Sequence, residues 1–591
     1  MSNHRPRYYL LLSICLLPPV AMALLISKYG VDFIDWDQWE TAALFIKASQ
    51  GSLSVADLFA QQAEYRQLFP NLIFVSLGWI THWNIKAEMF VSFALACLIA
   101  INLYRLSQLT LTGNNLARLL LLLVTTLLVF SPAQFESWLL GEQIIYFLPA
   151  TCITTSLCVG YSKLGLNTKL TICGLLAIVS TFSSANGVIC WLVVAPVLFF
   201  SSQSRRKTWR FAVWVLCFLL SATVYVYGLK KPSYTPNLST VLYHPLRGVF
   251  FLCAFLGAPL MTSNRLIVIS AGLGALLVIL FLSSFLYAWK FAGSELRFAL
   301  IGWLMLGSYS FLTAIMVTVG RLGFGINQSL SSRYITFSVY LLVSLVYLIP
   351  LIGDQALKRT KLVSLRFGSL LGATAVSVLI LVHVLNSAAA IRQMAWMRMR
   401  RLESKACLLF INVMPHECLS EGFPELSVLK SRANALDELH FLKPALIKSK
   451  EIEGIADTTV AGNISYGRLE ALSGSNGTFV ASGWAGLPNI KEAADAVLLT
   501  YQDEHQADPI IIAYAPMRIV QPSFQGLFAY RPTFEWRWQT SISIDGAAII
   551  PPITVSAWAF DATTGRAHKL AGTYVIKGDG RPPILLDAGN P

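Results

Sequence analysis

Apolar runs about as long as the roughly 20 residues a helix needs to cross a bilayer, separated by short clusters of Lys and Arg, recur from residue 8 to residue 390. We count eleven crossings, at 8 to 28, 87 to 105, 117 to 131, 144 to 161, 168 to 182, 186 to 200, 211 to 229, 265 to 289, 296 to 318, 334 to 352 and 367 to 390. Two shorter stretches, 68 to 83 and 246 to 262, are interrupted by Pro70, His82, Pro245 and Pro259 and read as interfacial or re-entrant helices. With 55% hydrophobic and 13% charged residues, the chain requires lipid as a solvent. The net charge of +14 does not point to nucleic acid, because the basic residues sit between apolar runs and not along one polar face.

A cytoplasmic N-terminus places most of these basic clusters inside. The first apolar run follows Arg5 and Arg7 but lacks a clear cleavage site, so it reads as a retained span. Eleven crossings then put the tail outside, on the periplasmic or extracellular face. Residues 1–392 form the expected polytopic transmembrane domain and 393–454 a juxtamembrane helical linker. Residues 455–591 carry short β-branched and aromatic runs divided by Gly, Pro and Asn, as in a small β-sandwich. Cys407 and Cys418 lie in the polar part, either as a disulfide in an oxidising compartment or as two free thiols.

The outer loops hold the polar residues that packing explains least. The first, about 29 to 67, opens with Asp32, Asp35, Asp37 and Glu40 around Trp36 and Trp39. Acids crowded beside a membrane suit a general base or a metal site, and they equally suit an acidic helix cap with a solvated face. The loop closes on Glu64, Tyr65 and Arg66. A second loop carries Gln134, Glu136, Trp138, Glu142 and Gln143, groups that bind sugar hydroxyls or simply populate an interface. Phe182 to Gly187 contains Asn186 at a turn. The loop from Gly320 to Tyr334 brings Arg321 and Arg333 to a membrane boundary, where guanidinium groups suit a lipid phosphate or headgroup. Lys230, Lys231, His244 and Arg247 are placed to supplement them. There is no Walker A loop, HExxH or CxxC, so nothing supports an ATP-driven pump or a zinc protease.

This layout resembles the multi-spanning C-type-fold (GT-C) glycosyltransferases, the group that includes protein mannosyltransferases and lipid A aminoarabinose transferases. The acidic first outer loop carries the likeness. Asp35-Trp-Asp37-Gln-Trp, Tyr65-Arg66-Gln-Leu-Phe-Pro70, Ser184-Ala-Asn186-Gly187 and Ser332-Arg333-Tyr334 resemble more narrowly the signatures of a bacterial membrane-protein family. The likeness covers about residues 1 to 390, and the His-Pro-Pro-Leu type sequence of the mannosyltransferases is missing.

The resemblance implies transfer of a sugar from a polyprenyl-phosphate carrier to a glycan, lipid or protein acceptor on the outer face of a membrane, the bacterial inner membrane being the expected one. It implies Asp35 or Asp37 as base and Arg321, Arg333 and Arg66 on the donor phosphate. Glu40, Glu64, Glu136, Gln143 and Asn186 would meet sugar or acceptor. Some members hold a divalent cation on such acids, and membrane lipids are implied partners. Two other readings stand beside this one: a flippase or transporter of a lipid-linked saccharide, and a noncatalytic envelope scaffold. The scarcity of charge within the spans and the lack of an internal repeat weigh against transport.

Overall fold

The computed structural model describes residues 5–111, 115–200, 207–360, 365–414, 425–457, 466–475, 477–488, 490–503, 508–517, 536–544, 551–577 and 581–586. The chain divides into two compact units: unit one is Met1–Gly30, Leu53–Trp79 and Ile85–Gln393, and unit two is Val31–Ser52, Ile80–Asn84 and Met394–Pro591.

Among the described residues nine helices are long and apolar enough to cross a membrane, not eleven. They are Tyr8–Tyr29, Ile85–Thr110, Asn115–Leu139, Gly141–Tyr161, Lys207–Val226, Asn264–Lys290, Ser294–Phe324, Ser332–Gly353 and Ser377–Leu409. The two expected crossings that fall short are Leu166–Thr181 and Ala185–Phe200. Their α-helical parts contain 16 and 12 residues, which rise roughly 24 and 18 Å against about 30 Å of hydrocarbon. The turn between them is sharp because Gly187 passes so close to the preceding helix that a Cβ would lie 1.7 Å from the Ser180 carbonyl oxygen. Leu68–Thr81 and Pro245–Gly257 are likewise short apolar helices.

Small residues allow helices of unit one to approach backbone to backbone. A Cβ on Gly257, at the end of Pro245–Gly257, would fall 1.9 Å from the Ser270 carbonyl oxygen. One on Gly274, in Ile267–Lys290, would fall 1.8 Å from that of Cys253. Between apolar helices in lipid, such close approach supplies the association that hydrophobic burial supplies in water. Unit one also carries a small hairpin, β1 (Gln61–Gln62) and β2 (Tyr65–Arg66), whose two-residue turn sets Ala63 at φ 47°.

Unit two is built on β3 (Gly467–Ser475), β4 (Thr478–Leu487), β5 (Ile490–Ala493), β6 (Ala496–Gln502), β7 (Ile510–Pro516), β8 (Arg537–Ser543), β9 (Ile553–Asp561), β10 (Arg566–Ile576) and β11 (Ile584–Leu585). These make one sheet in the order β5-β4-β3-β10-β9-β6-β7, with β8 beside β4 and β11 beside β10, in place of the two facing sheets of a sandwich. A single bridge from Met517 to Trp538 joins the β7 end of this path to β8, so the sheet curls around its own core. Val497, Leu499, Val555, Ala557, Leu469 and Trp538 fill that core.

β6 is buried along nearly its whole length, including residues between those that face the core. Its neighbours explain this: Phe410 packs against Tyr514 of β7 and Phe560 of β9, and the Tyr514 hydroxyl donates to the Glu403 carbonyl at 3.2 Å. Strands covered on both faces read as continuous apolar runs, as Ala-Val-Leu-Leu does here. Cys407 is disulfide-bonded. Its expected partner, Cys418, lies outside the described residues.

Candidate functional site

The hairpin β1–β2 is fastened within unit one before it presents any charge. Gln61 donates its amide to the Lys230 carbonyl at 2.6 Å and accepts the Lys230 N–H at 2.8 Å. Arg66 donates Nε–H to the Tyr225 carbonyl at 2.9 Å, a second nitrogen to the Phe59 carbonyl at 3.1 Å and a third to the Tyr227 carbonyl. Tyr225 and Tyr227 lie at the C-terminal end of Lys207–Val226, where helical carbonyls lack partners and a cation is favoured. Arg66 thus holds this helix end, a different task from the phosphate contact expected of it.

The hairpin turn carries Glu64 to Arg321, in the last turn of Ser294–Arg321, and the two form an ion pair. The same Arg321 nitrogen donates to the Tyr65 hydroxyl at 3.4 Å, and the guanidinium lies 5.6 Å from the Phe324 ring centroid. Burial pushes the Tyr65 phenol up, so it remains neutral; Arg321, Tyr334 and Glu64 act on it electrostatically. Tyr146, Tyr334 and Tyr65 in turn share the field of Arg333.

Arg333 itself is half-buried, 5.5 Å from the Tyr334 ring centroid, and its Nε–H is buried with no hydrogen-bond partner. An unmet buried donor of this kind costs about 1–3 kcal/mol. Two guanidinium groups, three phenols and the Glu64, Glu136 and Glu142 carboxylates therefore share one electrostatic network, in which Glu64 is paired to Arg321.

The second loop supports this centre. One Glu136 carboxylate oxygen accepts from the Ser331 hydroxyl at 3.1 Å, the Ser332 hydroxyl at 2.8 Å and the Arg333 N–H at 3.0 Å. The Glu136 N–H donates back to Ser332 at 3.1 Å. This is a capping arrangement at the start of the Ser332–Gly353 span, so one Glu136 oxygen positions Arg333. Gln143 donates to the Glu142 carboxylate at 3.1 Å and keeps a buried, unpartnered Oε1. Asn186 donates to the Tyr309 hydroxyl at 3.0 Å and the Thr313 hydroxyl at 3.5 Å, which ties its turn to the Ser294–Phe324 span. Its Oδ1 is buried without a partner.

The acids at 32 to 40 belong to unit two, where Asp35 and Glu40 are paired. Asp35 meets Arg401 at 3.0 Å, and Arg401 is 6% exposed. Glu40 takes both terminal nitrogens of Arg432, at 3.1 and 3.2 Å, and Arg432 also donates to the Trp39 carbonyl at 2.9 Å. Asp37 stands at the N-cap of Gln38–Ser49 without a side-chain capping bond. Phe45 of that helix packs on Trp83 and Phe441, 4.5 and 5.1 Å between centroids. Between Asp35 and Asp37, Trp36 holds φ 41° with its side chain 54% exposed, an unusual conformation for a bulky residue.

Of the tryptophans of the tail, Trp538 and Trp558 are buried, while Trp484 and Trp536 stand half-buried with ring centroids 6.4 Å apart. Among the described residues no group of three or more His, Cys, Asp or Glu side chains is arranged to hold a metal ion. Sequence reasoning overlooked the three phenols. Tyr65 and Tyr334 stood next to the arginines already singled out, whereas Tyr146 lies in an apolar run and gives no local signal. Compared with protein-family models, curated proteins and solved structures, the chain matches none.

Proposed function

We propose that unit one is a membrane transferase that takes a sugar from a polyprenyl-phosphate donor, in the manner of the C-type-fold glycosyltransferases that the sequence resembles. The observation that carries this reading is the buried, unpartnered Nε–H of Arg333 among Tyr65, Tyr146 and Tyr334, beside the Glu64–Arg321 pair. A guanidinium short of a partner in a low-dielectric place favours an anion, and a phosphate oxygen satisfies it by charge-assisted hydrogen bonds. Neutral phenols are suitable neighbours, since they donate to phosphate without repelling it.

In this mechanism the donor phosphate takes up Arg333 and draws Arg321 away from Glu64. As Arg321 shifts, the Glu64 carboxylate accepts the acceptor hydroxyl proton while that oxygen bonds to the anomeric carbon. The bond from the anomeric carbon to the phosphate oxygen breaks, and the phosphate leaves with one more negative charge. Arg333 and Arg321 stabilise that developing charge. Glu64 takes the base role in preference to Asp35, which is engaged by Arg401 within unit two.

The test is transfer from a panel of polyprenyl-phosphate monosaccharides by the full chain in proteoliposomes. Arg333→Gln and Glu64→Gln are expected to lose transfer while the protein still folds, and full transfer by both would overturn the assignment. The scaffold reading draws support from the structural engagement of Asp35, Glu40, Arg66 and Glu136. It requires that no panel member be turned over by the unaltered chain.

A further inference from the structure

A second place in unit one combines cationic and amide side chains with an opening, and it adjoins the Arg333 centre at Phe324. The segment after Lys207–Val226 folds over residues 322–327 because Gly323 leaves room for it; a Cβ there would lie 2.2 Å from Pro236 Cβ. Gly325 then turns the chain at φ 104°, a conformation that favours glycine. Between the two segments lies a cleft of about 430 Å³ lined by Thr240, His244, Arg247, Phe324, Gly325 and Asn327, among others.

Arg247 lies in the first turn of the helix Pro245–Gly257, whose first intrahelical bond runs from the Gly248 N–H to the His244 carbonyl at 3.0 Å. The backbone N–H groups that precede it are unpaired in the helix, so Arg247 adds its charge to the positive end of a helix dipole. Among the described residues, the Arg247, His244 and Asn327 side chains have no hydrogen-bond or ion-pair partner. The residues next to these in the chain have the opposite character. Leu242, Tyr243 and Leu246 are 81, 78 and 84% exposed, and the helix Thr240–Tyr243 buries none of its residues.

We infer that Arg247, His244 and Asn327 form a binding site for the phosphate of an anionic membrane lipid, with Leu242, Tyr243 and Leu246 set among its acyl chains. Guanidinium, imidazole and amide groups are phosphate donors, and apolar side chains exposed to this degree beside them in a membrane protein suit acyl chains. A soluble phosphate ion would use the donors and leave these apolar side chains without a role. The inference stands whether or not the neighbouring centre transfers a sugar.

The experiment is equilibrium binding of a fluorescent short-chain phosphatidylglycerol to the full chain in detergent micelles, with phosphatidylcholine as the zwitterionic comparison and inorganic phosphate as competitor. Arg247→Gln is expected to weaken phosphatidylglycerol binding by about tenfold or more, the loss of a charge-assisted bidentate contact. Lys290→Gln, which removes a basic residue from the end of another span, is expected to change nothing. Arg247→Lys should give an intermediate affinity, since it keeps charge without the planar fork, and it carries the same test should Arg247→Gln fail to fold.

Unchanged affinity in Arg247→Gln, or an equal loss in Lys290→Gln, would overturn the site. Displacement of the lipid by inorganic phosphate, or equal binding of phosphatidylcholine, would overturn the lipid assignment. None of these readouts depends on sugar transfer, so failure here and failure of the transferase reading remain distinct.

Discussion

In unit two Asp35 holds Arg401 and Glu40 holds Arg432, and each of these arginines joins the loop 31–52 to the segment 394–438 of the same unit. In unit one Glu64 holds Arg321 beside Arg333, whose Nε–H is buried and unpartnered. The same chemical pair thus serves two ends. A pair closed on itself fixes a fold, and its neighbours need nothing further. A pair next to an unmet donor leaves a place where an added anion lowers the energy. Charge density alone does not separate the two cases: the loop with the densest acids is the one whose pairs are closed.

The largest expected effect is on the open side of this contrast. Arg333→Gln should lower transfer by about a hundredfold or more, the scale for removing a donor that faces developing charge, and should leave thermal unfolding nearly unchanged because the lost group had no protein partner at Nε. Transfer within a factor of two of the unaltered chain would close the gap between the two units and remove the contrast.

Next comes the exchange of carboxylates. Glu64→Gln should abolish transfer with folding intact, whereas Asp35→Asn should destabilise unit two by about 1 kcal/mol or more through the weakened contact to the buried Arg401 and keep transfer in whatever fraction remains folded. The reverse outcome, an inactive and fully stable Asp35→Asn, would return the base role to Asp35.

A smaller effect distinguishes unit two by pH. Asp495 is buried just before β6 and accepts the Ala562 N–H at 2.8 Å. Burial raises its carboxyl to about 7, against the lowering effect of that hydrogen bond; Asp561 also raises it, Arg398 lowers it and Glu492 raises it. A carboxyl raised in the fold contributes stability that is complete below its unfolded value and is lost as pH rises through the folded one. Hydrogen-exchange protection in β6 and β9, taken relative to the intrinsic exchange rate at each pH, should therefore fall between about pH 4 and pH 7. Asp495→Asn should flatten this dependence, and an unchanged slope in that variant would exclude Asp495 as its source. The smallest effect is expected from Arg537→Gln, since the exposed Arg537–Glu470 pair contributes within about 1 kcal/mol; a shift in unfolding beyond that would show the outer face of the sheet to be more constrained.

How much of this was legible in the sequence depends on whether the signal is local. Apolar length is local, and the expected runs at 144 to 161 and 334 to 352 correspond to Gly141–Tyr161 and Ser332–Gly353. Strand texture is also local, so 496 to 501 and 554 to 560 fall within β6 and β9. Pairing between distant segments is not. The parallel contact of Arg468 with Ala571, which joins β3 to β10, has no signature in either strand, and without it a single curled sheet cannot be told from a sandwich.

The candidate site divides in the same way. Arg321, Arg333 and Glu64 stood out as charges beside apolar runs. That Arg66 faces the end of a helix 159 residues away, and Asp35 an arginine 366 residues away, is information carried only by the fold. Polar type and place suggest what a residue can do; the partner it has already taken decides whether it is free to do it.

The most direct test of the open centre is equilibrium binding of unglycosylated polyprenyl phosphate to the full chain, measured in the Arg247→Gln background so that the neighbouring cleft does not contribute. Arg333→Gln should weaken that binding by about tenfold or more relative to the same background. Equal affinity with and without the Arg333 guanidinium would contradict the claim that this group awaits a phosphate.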